Sequence, residues 1–218
     1  MAIPHYVGVV RYRNELLLPR ELYPPIEAPD NVPVWAPFMV SMADMIRQAI
    51  DRRNRYGYAT ETSLSSFPSG YTRSDLTARF VNLAQQWRHD PPMWFYEGGQ
   101  IRLELTIGIY ADERTRDRPD CLSMIMSHEL MHVADEIDIV KNWLPVHAPI
   151  ELRGRLSALS ERRFETAIRG RGDGEGSGLE RAVQNLWVEE SSRRAADLHA
   201  RRPQDGQRIG DCINAVVP

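Results

Sequence analysis

Apolar and polar positions alternate most clearly between Ile101 and Tyr110, where Ile101, Leu103, Leu105, Ile107 and Ile109 are interleaved with Arg102, Glu104, Thr106, Gly108 and Tyr110. A period of two predicts a strand with one buried and one wetter face. The run Met93-Trp94-Phe95-Tyr96, followed by Glu97-Gly98-Gly99-Gln100, predicts that the two runs form a hairpin. Near the start, the β-branched and aromatic run Tyr6 to Tyr12 predicts another strand, ahead of a proline-rich crossing from Pro19 to Pro37. Other segments repeat with the period of a helix. Met39, Met42, Ala43, Met45, Ile46, Ala49 and Ile50 predict one from Phe38 to about Arg55. Leu76, Phe80, Leu83, Ala84 and Trp87, with Ser74 as cap and Asp90-Pro91-Pro92 as stop, predict a second. Leu122, Ile125, Met126, Val133, Ile137 and Val140 predict a third from Cys121 to about Val140, with Asp120 as its cap. A last helix spans Leu179 to Leu198. Between them, the alternating glycines from Arg169 to Gly178 read as a surface loop, and the Arg171-Gly172-Asp173 tripeptide within it is read the same way.

The 218 residues are 42% hydrophobic and 26% charged, which suits one domain with a substantial core. A net charge of −3, from 27 basic and 30 acidic residues, lacks the positive excess that sequence-independent nucleic-acid binding relies on. No run approaches the ~20 apolar residues of a membrane span, and Met1 to His5 does not open a secretory signal. The expectation is a cytoplasmic chain with no nucleic-acid or membrane partner, delivery to another cell as an effector remaining open. Cys121 and Cys212 are too few and too distant in sequence to suggest a disulfide framework or a four-cysteine zinc site. A metal would have to be held by histidine and carboxylate.

Such residues occur inside the third predicted helix. His128-Glu129-Leu130-Met131-His132 spells H-E-x-x-H. Two histidines four apart project from one helix face, one turn above each other, so their imidazoles can converge on one zinc ion. Glu129 then sits beside the ion, where a carboxylate can take a proton from zinc-activated water and pass it to the leaving group. With this motif the chain resembles the zincin metallopeptidases, from about Met93 onward: strand, loop, H-E-x-x-H helix, and a later helix carrying a glutamate. The resemblance implies that a sheet-edge strand binds substrate as an added strand, with Ile101, Leu103, Leu105, Ile107 and Ile109 in that role. Residues 1–92 match no recognised family.

A catalytic zinc usually has three protein ligands and one open position. The metzincin third histidine is absent, since Val133-Ala134-Asp135-Glu136-Ile137-Asp138 comes after His132. Asp135 and Glu136 lie one turn beyond His132. The run His128 to Glu136 resembles the extended motif of lethal-factor-like gluzincins, which implies that Asp135 holds a histidine ring nitrogen. Glu151 lies 19 positions after His132, as in gluzincin aminopeptidases, but without the surrounding sequence of that family. Glu190 falls with Val183, Leu186, Trp187 and Leu198 on the apolar stripe of the last helix, where a carboxylate needs a partner, either a metal or an arginine. The lethal-factor-like layout, with its glutamate ligand on a later helix, puts Glu190 first, Glu189 next and Glu151 third. Asp197 further along that face is a second residue that could support a ligand. An oxyanion donor could come from Tyr96, Tyr110, His147 or His199.

These readings describe an α+β, zincin-like single domain: a small antiparallel or mixed sheet, an H-E-x-x-H helix and a long C-terminal helix, with residues 93–218 as catalytic core. The expected activity is zinc-dependent hydrolysis of a bond in a peptide or protein, with Zn2+ as cofactor and Glu129 as general base. Two alternatives stand beside it: a zincin-like module that binds a peptide or protein without cleaving it, and a zinc hydrolase of a non-peptide amide.

Overall fold

A computed structural model describes residues 5–12, 37–41, 43–45, 47, 69–89, 92–148 and 178–215. The architecture is α+β. Strands β1 (His5–Tyr12), β2 (Phe38–Val40), β3 (Gly70–His89) and β4 (Pro92–Asp112) precede helices α1 (Pro119–Asp138), α2 (Gly178–Arg201) and α3 (Pro203–Asn214). The strand order is β1-β4-β2, and β3 also pairs with β4. The β2–β4 pair is parallel, with Phe38 opposite Tyr110 and Val40 opposite Asp112.

β1 and the alternating run of β4 lie where the hydrophobic pattern puts them. Three local expectations fail, each for a physical reason. Phe38–Val40 is a strand, because the helical residues begin only after a cap at Ser41: its Oγ accepts from the Asp44 N–H at 3.2 Å and donates to the Asp44 carboxylate at 2.8 Å. Residues 43–45 and 47 are helical, and the rest of that predicted helix lies outside the described residues. The predicted second helix is strand β3, whose Thr72, Ser74, Leu76 and Ala78 are buried in alternation with the less buried Tyr71, Asp75 and Thr77. Arg73 interrupts the alternation, its guanidinium paired with Asp75 at 3.1 Å. The predicted turn at Glu97–Gln100 is continuous strand within β4, so the hairpin of Met93–Tyr96 with Ile101–Tyr110 does not form. The proline-rich crossing and the glycine-rich loop lie outside the described residues.

β4 occupies the middle of the strand path. Leu103, Leu105, Ile107 and Ile109 are all 0% exposed. These side chains lie in the core, on a strand that pairs with β1, β2 and β3. Each such side chain contributes on the order of 1.5–3 kcal/mol by leaving water.

The chain forms two compact units, interleaved in sequence. One comprises 1–11, 76–105 and 137–190, and the other 12–75, 106–136 and 191–218. In the first unit, Gln184 of α2 donates to the Leu76 carbonyl at 3.0 Å, and Trp187 is fully buried. In the second, α1 starts at Pro119, which suits the first helical position because no N–H is needed there. The first helical bond runs from the Leu122 N–H to the Arg118 carbonyl at 3.0 Å, so Asp120 lies inside the first turn and is not the cap. Cys121, Leu122, Ile125, Met126, Leu130 and Val133 form the buried face of α1.

A disulfide joins Cys121 to Cys212, with Cα atoms 5.7 Å apart. The two cysteines are too few and too distant in sequence to suggest a disulfide framework; the fold brings them together as one bridge. The bond fastens the start of α1 to α3, and Arg118 reinforces the junction by donating to the Ile213 carbonyl at 2.7 Å.

Candidate metal centre

α1 separates the three chemical residues of its motif by simple rotation. Neighbouring residues on a helix point about 100° apart, so His128 and His132 lie on the half-exposed flank while Glu129 turns inward, 4% exposed. The start of β3 receives it. Thr72 Oγ1 donates to Glu129 Oε2 at 2.7 Å and lies 3.2 Å from the Glu129 carbonyl oxygen. Gly70 is where this approach is closest: a Cβ there would collide with the Ile125 side chain and stand 2.9 Å from Glu129 Oε1. Burial pushes the Glu129 carboxyl above the usual carboxylate range, opposed by the charge of His128 and by the Thr72 hydrogen bonds.

A second buried carboxylate fixes the far end of α1. Glu136 Oε1 accepts from Ser74 Oγ at 2.9 Å and from Ser191 Oγ at 2.5 Å, which ties β3, α1 and α2 together within the unit. This is how β3 and α2 come to flank the motif.

α2 then supplies a residue that the sequence did not mark as a ligand. One nitrogen from each of His128, His132 and His199 lies within 4.8 Å of the others, and this is the group of such ligands found among the described residues. His132 Nε2 and His199 Nε2 are 3.2 Å apart. Two nitrogens bound tetrahedrally to one zinc at ~2.0–2.1 Å would be about 3.3–3.4 Å apart, so the pair has the spacing of two zinc ligands. The His128 and His199 rings are stacked, with centroids at 5.4 Å and planes 9° apart. Partial burial, and then the charge of His128, lower the pKa of His199 and favour the neutral form that binds metals. On the other side, His128 Nδ1 lies 3.3 Å from Asp205 Oδ2 of α3. With Nδ1 carrying the proton toward this carboxylate, Nε2 of His128 becomes the ligating atom. The donor set fits zinc: three imidazoles, one of them oriented by a carboxylate.

Most of the other expected residues are elsewhere. Glu190 is buried, but it is the last residue of the first unit and is not in the histidine group. On an α-helix, nine residues separate Glu190 from His199 by two and a half turns, or about 13.5 Å along the axis and half a turn around it. Glu189 is exposed, and Glu151 lies outside the described residues. Asp135, expected to hold a histidine nitrogen, lies 3.8 Å from Arg194. Asp197 pairs with Arg193 at 2.7 Å. The carboxylate that does lie against a histidine of the group is that of Asp205, which no spacing in the sequence indicated. Tyr110, considered as an oxyanion donor, is 4% exposed and stacks on Phe38 at 5.1 Å. His147 stacks on Trp143 at 4.1 Å in the first unit, with its Nδ1 donating to the Trp143 carbonyl. The side chain of Tyr96 lies outside the described residues. His199, considered only as an oxyanion donor, is the residue that joins the motif histidines. The available signal was the chain's small stock of 6 histidines, from which any third imidazole ligand had to come.

No family model, curated protein or solved structure matches the chain.

Proposed function

We propose that the protein is a zinc-dependent metallopeptidase that hydrolyses a peptide bond in a peptide or protein. The observation that carries this reading is the convergence of His128, His132 and His199, with the buried Glu129 between the two motif histidines. In this ligand set His199 takes the position that the sequence assigned to Glu190. The three imidazoles would hold the ion and leave a fourth position open. When bound, zinc supplies a Lewis acid that polarises the scissile carbonyl and lowers the pKa of water. Glu129 handles the proton: its carboxylate takes one from the attacking water and returns it to the departing nitrogen. Thr72 steadies that carboxylate at Oε2, and Gly70 leaves it room. Asp205 keeps the His128 ring in the orientation and tautomer that ligation requires.

A second reading, hydrolysis of a non-peptide amide, draws on two observations. β4 is an inner strand, and the cavity beside His128 is only about 200 Å3. Such a volume suits a compact group better than an extended chain. As for location, no helix among the described residues is long and apolar enough to cross a membrane. The Cys121–Cys212 bond favours an oxidising place of action over the cytoplasm expected from the sequence.

The test is elemental analysis of protein purified without a histidine tag, beside His128→Ala, and then incubation with a peptide library. The proposal expects one zinc per chain in the wild type, loss of that zinc in the variant, and cleavage of peptides. A wild type that holds no zinc even when it is added back would overturn the reading and leave a zincin-like binding module in its place. Zinc without peptide cleavage, but with turnover of small amides, would select the second reading.

A further inference from the structure

We propose that the cavity beside His128 is a subsite for a substrate carboxylate, received by Arg208. The proposal rests on the hydrolytic reading above for its physiological meaning, though not for the binding itself. The cavity, about 200 Å3, lies between the first half of α1 and α3, and its polar lining is Ser123, Ser127, His128, Arg202, Asp205 and Arg208. Because His128 is one of its walls, a molecule with its reacting bond at the histidine group would lie beside this cavity.

Among the described residues, the wall carries two guanidinium groups, Arg202 and Arg208, and one carboxylate, Asp205. That carboxylate is also committed: its Oδ2 lies 3.3 Å from His128 Nδ1 and 3.3 Å from Arg202 NH1. Among the described residues no carboxylate lies within ion-pair distance of Arg208. A guanidinium presents a planar fork of donors that matches a carboxylate. Met124 and Ile209 complete the lining with apolar surface on which methylene groups can rest. The cavity opens beside the first turn of α3, where the helix dipole also favours negative charge. Its volume is below the ~300–1,000 Å3 of pockets that take whole ligands, so it suits one side chain or chain end. In a peptide, the groups of this chemistry are an aspartate or glutamate side chain and the C-terminal carboxylate.

Binding of small amino-acid derivatives to the zinc-loaded protein, monitored by NMR titration, tests this. One arm compares N-acetyl-glutamate amide with N-acetyl-glutamine amide. The other compares N-acetyl-alanine, with its free carboxylate, with N-acetyl-alanine amide. We expect one of the acids to bind at least about fivefold more tightly than its neutral partner, as loss of a charge-assisted hydrogen bond would give, and the arm that shows the preference names the source of the carboxylate. In Arg208→Ala, an exposed position whose replacement leaves the core intact, that preference should vanish while zinc content stays the same. An acid that bound the metal alone would keep its preference in this variant. The proposal is overturned if neither acid binds better than its amide, or if the preference survives Arg208→Ala. Absence of hydrolysis with the preference intact would count against the peptidase reading and not against the subsite.

Discussion

Helices α1 and α2 present imidazoles to the same point, but they arrive there differently. α1 brings His128 and His132 together by its own geometry, because any helix stacks residues four apart on one flank. α2 contributes His199 only because of where its axis lies, and that is set by tertiary contacts such as the Ser191 hydroxyl on Glu136 and the burial of Leu198. A motif therefore fixes a pair of imidazoles, whereas completing the group of three requires the fold. The difference also explains why a carboxylate on the same α2 helix could look like the better candidate: Glu190 has the apolar neighbours of a buried ligand but lies half a turn away from His199.

This contrast can be broken at several points. The largest effect is expected inside α1, where Glu129→Gln should keep zinc content unchanged and lower kcat by ~10²–10⁴-fold, the usual contribution of a general base; unchanged turnover would remove Glu129 from the chemistry. His199→Ala tests α2 directly. Loss of a ligand should weaken zinc binding by more than the ~10–100-fold typical of an outer partner, as read by competition with a chelator; an unaltered affinity would leave α2 with no part in the site. Asp205→Ala removes such an outer partner, and a fall of ~10–100-fold in zinc affinity is expected in the same assay. Gly70→Ala places a methyl group against Ile125 and Glu129, and denaturant unfolding should show a loss of about 1–3 kcal/mol, the range for overpacking. Glu190→Ala is expected to have the smallest effect on metal: it should unfold at lower denaturant because a buried polar group is lost, yet bind zinc as the wild type does. Zinc loss in Glu190→Ala with retention in His199→Ala would reverse the comparison.

The same division between local and distant causes governs what is legible in the sequence. The alternation of Leu103, Leu105, Ile107 and Ile109 reads as a strand, and α1 reads as a helix, because each pattern fits one period only. β3 reads as a helix although it is a strand, because Leu76, Phe80 and Ala84 are spaced by four, and residues four apart share a face in a helix and in a strand alike. The residues that decide the matter, Thr72, Ser74 and Ala78, are small or polar and carry little hydrophobic signal, although all are buried. The position of β4 between β1 and β2 depends on pairing partners far away in the chain, so its own alternation could not show whether it was an edge. At the site, His128, Glu129 and His132 are readable from spacing. His199 stands 67 residues from His132 and Asp205 stands 77 from His128, and no local period spans such distances. The same holds for Cys121 and Cys212, separated by 91 residues.

That covalent bond has a mechanical consequence. α3 is joined to α2 through the single residue Arg202, and Cys212 near its other end is fastened to α1. A helix anchored at both ends cannot swing about its hinge, so Asp205 and Arg208, which lie between the two anchors, hold their stations beside His128 before any visitor arrives. The entropy of arranging those side chains is thus spent at folding, and an incoming ion or acidic group meets walls already standing.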